Sequence, residues 1–135
     1  MVRLNKVLID TNVLIYMYEN KKDIFDNVES LITNVSFFVL DKVYEELDKV
    51  YKTKPIKNEL IKRYLKKLEV INKFKIKKVD QKIIDLSPKY LKVDNLLIYY
   101  SDDYLIYTND KKLKEKLKLI HKKVLTLKKN NVVLN

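Results

Sequence analysis

Short apolar runs alternate with segments of helical periodicity along the whole chain. Apolar runs of strand length predict strands at 6–9, 36–40, 104–107, 123–127 and 131–134, and an imperfect alternation predicts a partly exposed strand at 74–79. Helical spacing, or a longer and almost wholly apolar stretch, predicts helices at 11–19, 23–33, 41–51, 56–73, 81–85, 94–100 and 111–120. This alternation favours a three-layer α/β/α fold with a mostly parallel central sheet.

The long helix at 56–73 has the most regular pattern. Its expected buried stripe consists of Ile56, Leu60, Tyr64, Leu68 and Ile71. Lysines occupy the other side, and we interpret them as a solvated face.

Length and charge narrow the picture. A chain of 135 residues is expected to form a single domain over 1–135. A net charge of +11 favours an anionic partner such as a nucleic acid. Solubility or a high growth temperature would explain the same lysine-rich surface.

Several classes of protein are excluded by missing residues. The chain has no Cys, so disulfides, thiolate metal sites and cysteine nucleophiles are ruled out. It has no Gly, which removes glycine-rich phosphate loops. Turns must then use Asn, Asp and the two prolines, and the helix at 81–85 is expected to end before Pro88. Without a signal peptide or membrane span, we expect a cytoplasmic protein.

Three aspartates are candidates for a functional site. Asp10 and Asp110 come just after predicted strands, and Asp94 opens a short apolar helix. Each would also serve as an ordinary helix cap or as a local structural acid. Because the carboxyl ends of parallel strands lie on one edge of a sheet, these acids can converge there.

Helix phase selects a fourth acid. In the helix that follows Asp41, Glu46 falls near the edge of the apolar stripe, whereas Glu45 points to the opposite side. The ordinary alternative for Glu46 is a surface ion pair with Lys42 or Lys49. A cluster of like charges requires a cation, and an oxygen-only site suits Mg²⁺ or Mn²⁺.

Four motifs in this order resemble the PIN-domain family, the small nucleases named for similarity to the PilT N-terminus. They are VLIDTNVLIY (7–16), VYEELDKV (43–50), VDNLLIYY (93–100) and YTNDKKL (107–113). The resemblance extends over most of the chain, from about residue 5 to 128. It departs from the family at Ile98 and Tyr99, where small residues are usual, and at Asp41. Whether Asp41 or Glu45 contributes to the site is left open.

The resemblance implies a metal-dependent RNase that hydrolyses phosphodiester bonds. Its catalytic and metal-binding quartet would be Asp10, Glu46, Asp94 and Asp110, with Mg²⁺ or Mn²⁺ as cofactor. The residues expected to contact the RNA or support the first acid are Asn12, Thr108, Asn109, Lys111 and Lys112. His121 is interpreted as a surface residue.

Partners follow from the same resemblance. The expected partner is single-stranded or structured RNA, and Tyr16, Tyr18 and Tyr51 are candidates for stacking on its bases. The motifs do not separate an RNA-processing enzyme with a ribosome-assembly partner from a toxin with an antitoxin. A homodimer is expected from the family's tendency to pair. The alternatives are a PIN-like RNA-binding scaffold without useful catalysis and a plain basic α/β domain.

Overall fold

The structure is a computed structural model that describes residues 4–86, 92–129 and 131–135. Its strands are β1 (Asn5–Ile9), β2 (Val35–Leu40), β3 (Lys75–Lys77), β4 (Leu105–Tyr107), β5 (Val124–Lys128) and β6 (Asn131–Leu134). Its helices are α1 (Thr11–Asn20), α2 (Ile24–Leu31), α3 (Lys42–Val50), α4 (Pro55–Val70), α5 (Gln81–Ile84), α6 (Val93–Tyr100) and α7 (Lys111–Leu119). Pro88 lies outside the described residues.

The described strands form a six-stranded sheet in the order β3-β2-β1-β4-β5-β6. Every neighbouring pair is parallel except β5 and β6, which are antiparallel. Crossovers between parallel strands are right-handed. The connections from β1 to β2 and β3 run toward one edge of the sheet, and those from β3 to β4 and β5 run toward the other edge. The helices of these two sets of connections therefore lie on opposite faces of the sheet. The predicted α/β/α architecture with a mostly parallel sheet is confirmed.

Strand β1 is the centre of the sheet and of the core. Val7, Leu8 and Ile9 are completely buried, as expected for a parallel strand that is covered on both faces. Ile9 is in register with Tyr107 of β4, and the backbone N–H of Asp10 donates to the carbonyl of Tyr107 at 2.9 Å. This bond fixes the position at which the chain leaves the sheet and enters α1.

The predicted stripe of α4 is partly wrong: Tyr64 and Leu68 are half-buried and pack against the core, but the other three residues are exposed. Ile56 and Leu60 are 75% and 46% exposed, and Ile71 just beyond the helix is 61% exposed, whereas Ile61 and Leu65 are fully buried. At 100° per residue, the apolar residues of this helix cover an arc of about 180°. Since α4 packs against α1 and α3, only one half of that arc is covered by the described residues.

Left-handed turns replace the glycines that the chain lacks. The non-glycine residues with positive φ in the described chain are Lys21, Asn34, Asn72, His121 and Lys129. Asn was the expected residue at such positions and occupies two of them. His121 is exposed, as predicted for a surface residue. None of the described helices is both long and apolar enough to cross a membrane.

The phase of α4 can be tested by alanine substitution. Leu65→Ala should lower the free energy of unfolding by about 2–5 kcal/mol, because it opens a cavity in the core. Leu60→Ala, the matched control on the same helix, should change it by less than about 1 kcal/mol. Urea unfolding of both variants measures the difference. Equal losses would mean that the exposed half of the helix is covered in solution.

Candidate active site

The candidate site lies where the strand order reverses. From β1 the chain proceeds outward to β2, while the other neighbour of β1 is β4, which comes much later in the sequence. Open α/β sheets bind ligands at such a switch point, beyond the carboxyl ends of the two strands. Asp10 follows β1, and Asp110 lies three residues after the end of β4.

Asp10 is held by two hydrogen bonds and is only 3% exposed. Its Oδ1 accepts from the backbone N–H of Thr11 at 2.7 Å, so Asp10 is the N-cap of α1. Its Oδ2 accepts from the Thr108 hydroxyl at 2.7 Å. The capping role is therefore real, and it also fixes the carboxylate at the switch point.

Thr108 connects the first and last acids. Its hydroxyl donates to Asp10 and accepts from the backbone N–H of Asp110 at 3.0 Å. The Asp110 carboxylate then accepts from the backbone N–H of Leu113 at 3.1 Å and caps α7. One buried hydroxyl thus sets the spacing between the two loops that follow β1 and β4.

Two asparagines stiffen the same loops. Oδ1 of Asn12 accepts from the backbone N–H of Asn109 at 3.2 Å, and Oδ1 of Asn109 accepts from the N–H of Leu127 at 3.1 Å. These contacts are internal to the protein. Lys111 and Lys112 are exposed at the start of α7. Contact of these four residues and Thr108 with RNA remains a prediction.

Glu46 and Asp94 line one pocket of about 310 Å³. Glu46 is half-buried, whereas Glu45 is exposed and pairs with Lys42 at 3.3 Å. The phase argument for Glu46 is therefore consistent with the structure. Asp94 is not a helix cap, because Lys92 is the N-cap of α6 and Asp94 is the second residue of the helix.

Asp41 follows β2 at the same edge of the sheet. Its backbone N–H donates to the carbonyl of Lys77 at 3.1 Å, and it precedes α3 without a capping bond from its side chain. Its Oδ1 is buried and has no hydrogen-bond partner among the described residues.

Burial and the charges of neighbouring acids raise the pKa values of Asp10, Glu46 and Asp94. Burial raises the pKa of Asp10 to about 7; the hydrogen bond from Thr108 opposes this, and the charges of Asp94 and Glu46 add to it. Burial, followed by the charge of Asp94, also raises the pKa of Glu46. The pKa of Asp94 is raised by burial and then by the charge of Asp110. The four predicted acids thus interact as one electrostatic group.

Carboxylate oxygens are the ligands that a hard cation prefers, but the side chains of the four acids do not lie close together. Among the described residues, no three Asp, Glu, His or Cys side chains lie close enough to hold a metal ion. The buried Thr11 hydroxyl lies beside Glu46, and hydrogen bonding from it lowers the pKa of that carboxyl. The raised pKa values of the acids are a feature that a bound cation would relieve.

Comparison with known proteins decides the family. A family model described as a PIN-like domain matches residues 7–130. The chain belongs to the PIN-domain nuclease family. A solved structure, titled as the structure of the PIN domain endonuclease Utp24, superposes with a TM-score of 0.69 at 21% identity, covering 96% of this chain and 90% of that one. At this identity the likeness to Utp24 establishes the fold. No curated protein matches the chain.

Three further lysines beside the PIN acids were not predicted as part of the site. Lys42, Lys49 and Lys92 line the pocket that contains Glu46 and Asp94. Lys116 and Lys92 both lower the pKa of Asp94. The spacing of Lys42 and Lys49, one turn on either side of Glu46, was the available signal, and it was interpreted only as a possible ion pair.

Two of the tyrosines proposed for stacking make contacts near the C-terminal end of α1. Tyr51 donates to Glu19 near the end of α1, at 3.2 Å, and Tyr18 packs against Tyr64. Tyr18 is eight residues after Asp10, so it lies about 12 Å from that acid along the axis of α1. Tyr51 is the C-cap of α3, the helix that carries Glu46.

The raised pKa of Asp10 predicts how stability depends on pH in the metal-free PIN domain. Asp10 keeps its proton up to about pH 7 when folded, but an unfolded aspartate loses it near pH 4. The folded state binds more protons between these values, so the free energy of unfolding should fall as pH rises. Asp10→Asn should remove up to about 4 kcal/mol of this fall between pH 4 and pH 8.

Urea unfolding at the two pH values in EDTA measures this effect. Asp26→Asn is the matched control, because Asp26 is exposed on α2. The same pH slope in both variants and in the unmodified protein would contradict the assignment to Asp10.

Proposed function

We propose that this PIN domain is a metal-dependent endoribonuclease that hydrolyses RNA phosphodiester bonds. The observation that carries the proposal is the placement of Asp10, Glu46, Asp94 and Asp110 around the switch point of the sheet, where their charges and burial raise the pKa values of the first three. A plain structural domain has no need to place four acids within electrostatic reach of one another at a cost in stability. Membership of a nuclease family adds the reaction class.

The four acids would hold Mg²⁺ or Mn²⁺. A divalent ion of this kind lowers the pKa of a bound water and stabilises charge on a phosphate during in-line displacement. Asp10 and Asp110 contribute carboxylates that are already fixed by helix caps. Glu46 and Asp94 contribute carboxylates on the wall of an open pocket. No protein nucleophile is required.

The lysines of the pocket would bind the RNA backbone. Lys49 and Lys92 have no ion pair among the described residues, whereas Lys42 pairs with the exposed Glu45. Lysines at the edge of an acidic pocket attract phosphate and leave the carboxylates free to bind a metal ion. Such contacts are independent of sequence and weaken steeply with salt.

Cleavage of a labelled RNA tests the proposal. The unmodified protein should cut in Mn²⁺ and stop in EDTA, and Glu46→Gln should reduce the rate by at least about 100-fold if the carboxylate binds metal. Asp48→Asn is the matched control on the same helix, because Asp48 is exposed and lies outside the pocket, so it should leave the rate within about threefold. Equal rates for the two variants would refute the assignment of Glu46.

Thermal melting tests metal binding apart from cleavage. Mg²⁺ at about 100 times its dissociation constant should stabilise the protein by about 2.7 kcal/mol, because only the folded state gathers the acids. Asp94→Asn should abolish most of the shift, while Asp26→Asn should preserve it. A melting temperature that does not respond to Mg²⁺ or Mn²⁺ would argue against a metal site.

One observation favours a second function, an RNA-binding scaffold with weak catalysis. The acids are not already arranged as a metal cage in the described part of the chain. Tight RNA binding in EDTA with no cutting in Mn²⁺ would support the scaffold.

The biological role and partners remain predictions. Utp24 is titled an endonuclease, and the proposal for this chain is a processing role with a ribosome-assembly partner or a toxin role with an antitoxin. A single domain spanning 1–135, a homodimer and a cytoplasmic location are also proposed.

A further inference from the structure

A second concavity lies away from the acids, at the far end of α1. This groove has a volume of about 760 Å³, compared with about 310 Å³ for the pocket of Glu46 and Asp94. Side chains from α1, α2 and α4 and from the residues just after α1 and α4 line it, and it contains none of the four predicted catalytic acids. We call it the α1–α4 groove.

Aromatic and aliphatic side chains form the apolar part of the groove. Tyr18 and Tyr64 are both half-buried, and their ring centroids lie 5.3 Å apart with an angle of 47° between the planes. Met17, Phe25 and Leu68 continue the apolar surface. The tilted pair of tyrosines thus lines a space large enough for a planar group.

Unpaired cations form the polar part. Lys21, Lys22 and Lys73 line the groove, and none of the three has an ion pair among the described residues. The fourth lysine, Lys57, is neutralised by Glu19 at 2.8 Å. The other acid, Asp23, accepts two backbone N–H bonds as the cap of α2. The three free lysines therefore face the groove without a partner.

We propose that the α1–α4 groove binds nucleotides of single-stranded RNA. A base would pack on Tyr18 and Tyr64, and Lys21, Lys22 and Lys73 would bind the phosphates beside it. Stacking on aromatic rings combined with a cationic rim is the usual chemistry of sequence-tolerant recognition of single strands. An acidic peptide would use the lysines but has no need of the aromatic rings.

The groove deepens the proposed function because it would hold a part of the substrate that is not cut. Helix α1 joins the two places: Asp10 caps its first turn, and Tyr18 lies in its last turns. The distance along the helix is about 12 Å, which a short single strand can span. The inference rests on RNA being the substrate, but binding can be measured without cleavage.

Fluorescence anisotropy with a labelled oligouridylate in EDTA tests the phosphate contacts. The variant Lys21→Gln, Lys22→Gln, Lys73→Gln should bind at least about tenfold more weakly, and its salt slope should decrease by about two, since each single-strand contact contributes about 0.7. Lys67→Gln, Lys118→Gln, Lys123→Gln removes the same charge from exposed positions and should retain the slope. Equal effects of the two triple variants would overturn the proposal.

Stacking is tested separately with Tyr64→Leu. This variant should bind oligouridylate about tenfold more weakly but should bind an abasic strand of equal length as well as the unmodified protein does. Its melting temperature checks that it folds. The same loss with both strands would overturn stacking. Labelled polyglutamate should bind weakly. Tight binding of polyglutamate that unlabelled oligouridylate does not displace would overturn RNA as the ligand and indicate an acidic protein.

The two proposals fail in different ways. If oligouridylate binding depends on the groove but no RNA is cut in Mn²⁺, the nuclease proposal fails and the groove stands. If cleavage depends on Glu46 while all groove variants bind normally, only the groove proposal fails.

Discussion

The structure depends on keeping one carboxylate buried at the end of its central strand. Asp10 is only 3% exposed, and it is tolerated there because Thr11 and Thr108 each donate a hydrogen bond to it. One donor starts α1, and the other comes from the loop after β4. The same carboxylate therefore joins two segments that are nearly a hundred residues apart in the sequence.

Those bonds only partly compensate the buried charge. The pKa of Asp10 is still raised to about 7, and the nearby charges of Glu46 and Asp94 contribute to that rise. A fold selected for stability alone would favour a neutral residue here. The negative charge of these acids is offset only by lysines at the edge of the pocket. This uncompensated charge supports the proposal that a divalent cation binds at this edge of the sheet.

The sequence predicts the fold well because period and burial coincide in the strands and in most helices. Helix phase predicted correctly that Glu46 is more buried than Glu45, since Val43 and Leu47 are buried on one clear face of the helix. Helix α4 was mispredicted because its apolar arc is wider than the surface that α1 and α3 cover, and a sequence does not state which half is covered. The capping of Asp94 failed for a similar reason, since a boundary shift of two residues moves a cap into the first turn.

The absence of glycine has a consequence for how the chain is stabilised. Each non-glycine residue in the left-handed region costs about 1–2 kcal/mol, and the described chain places Lys21, Asn34, Asn72, His121 and Lys129 in that region. A chain without glycine also has a less flexible unfolded state, so it loses less entropy on folding. Its turns are thus strained in the folded state while its unfolded state is restricted. Stability must come from the sheet and its covering helices, and the turns only follow the path that those layers impose.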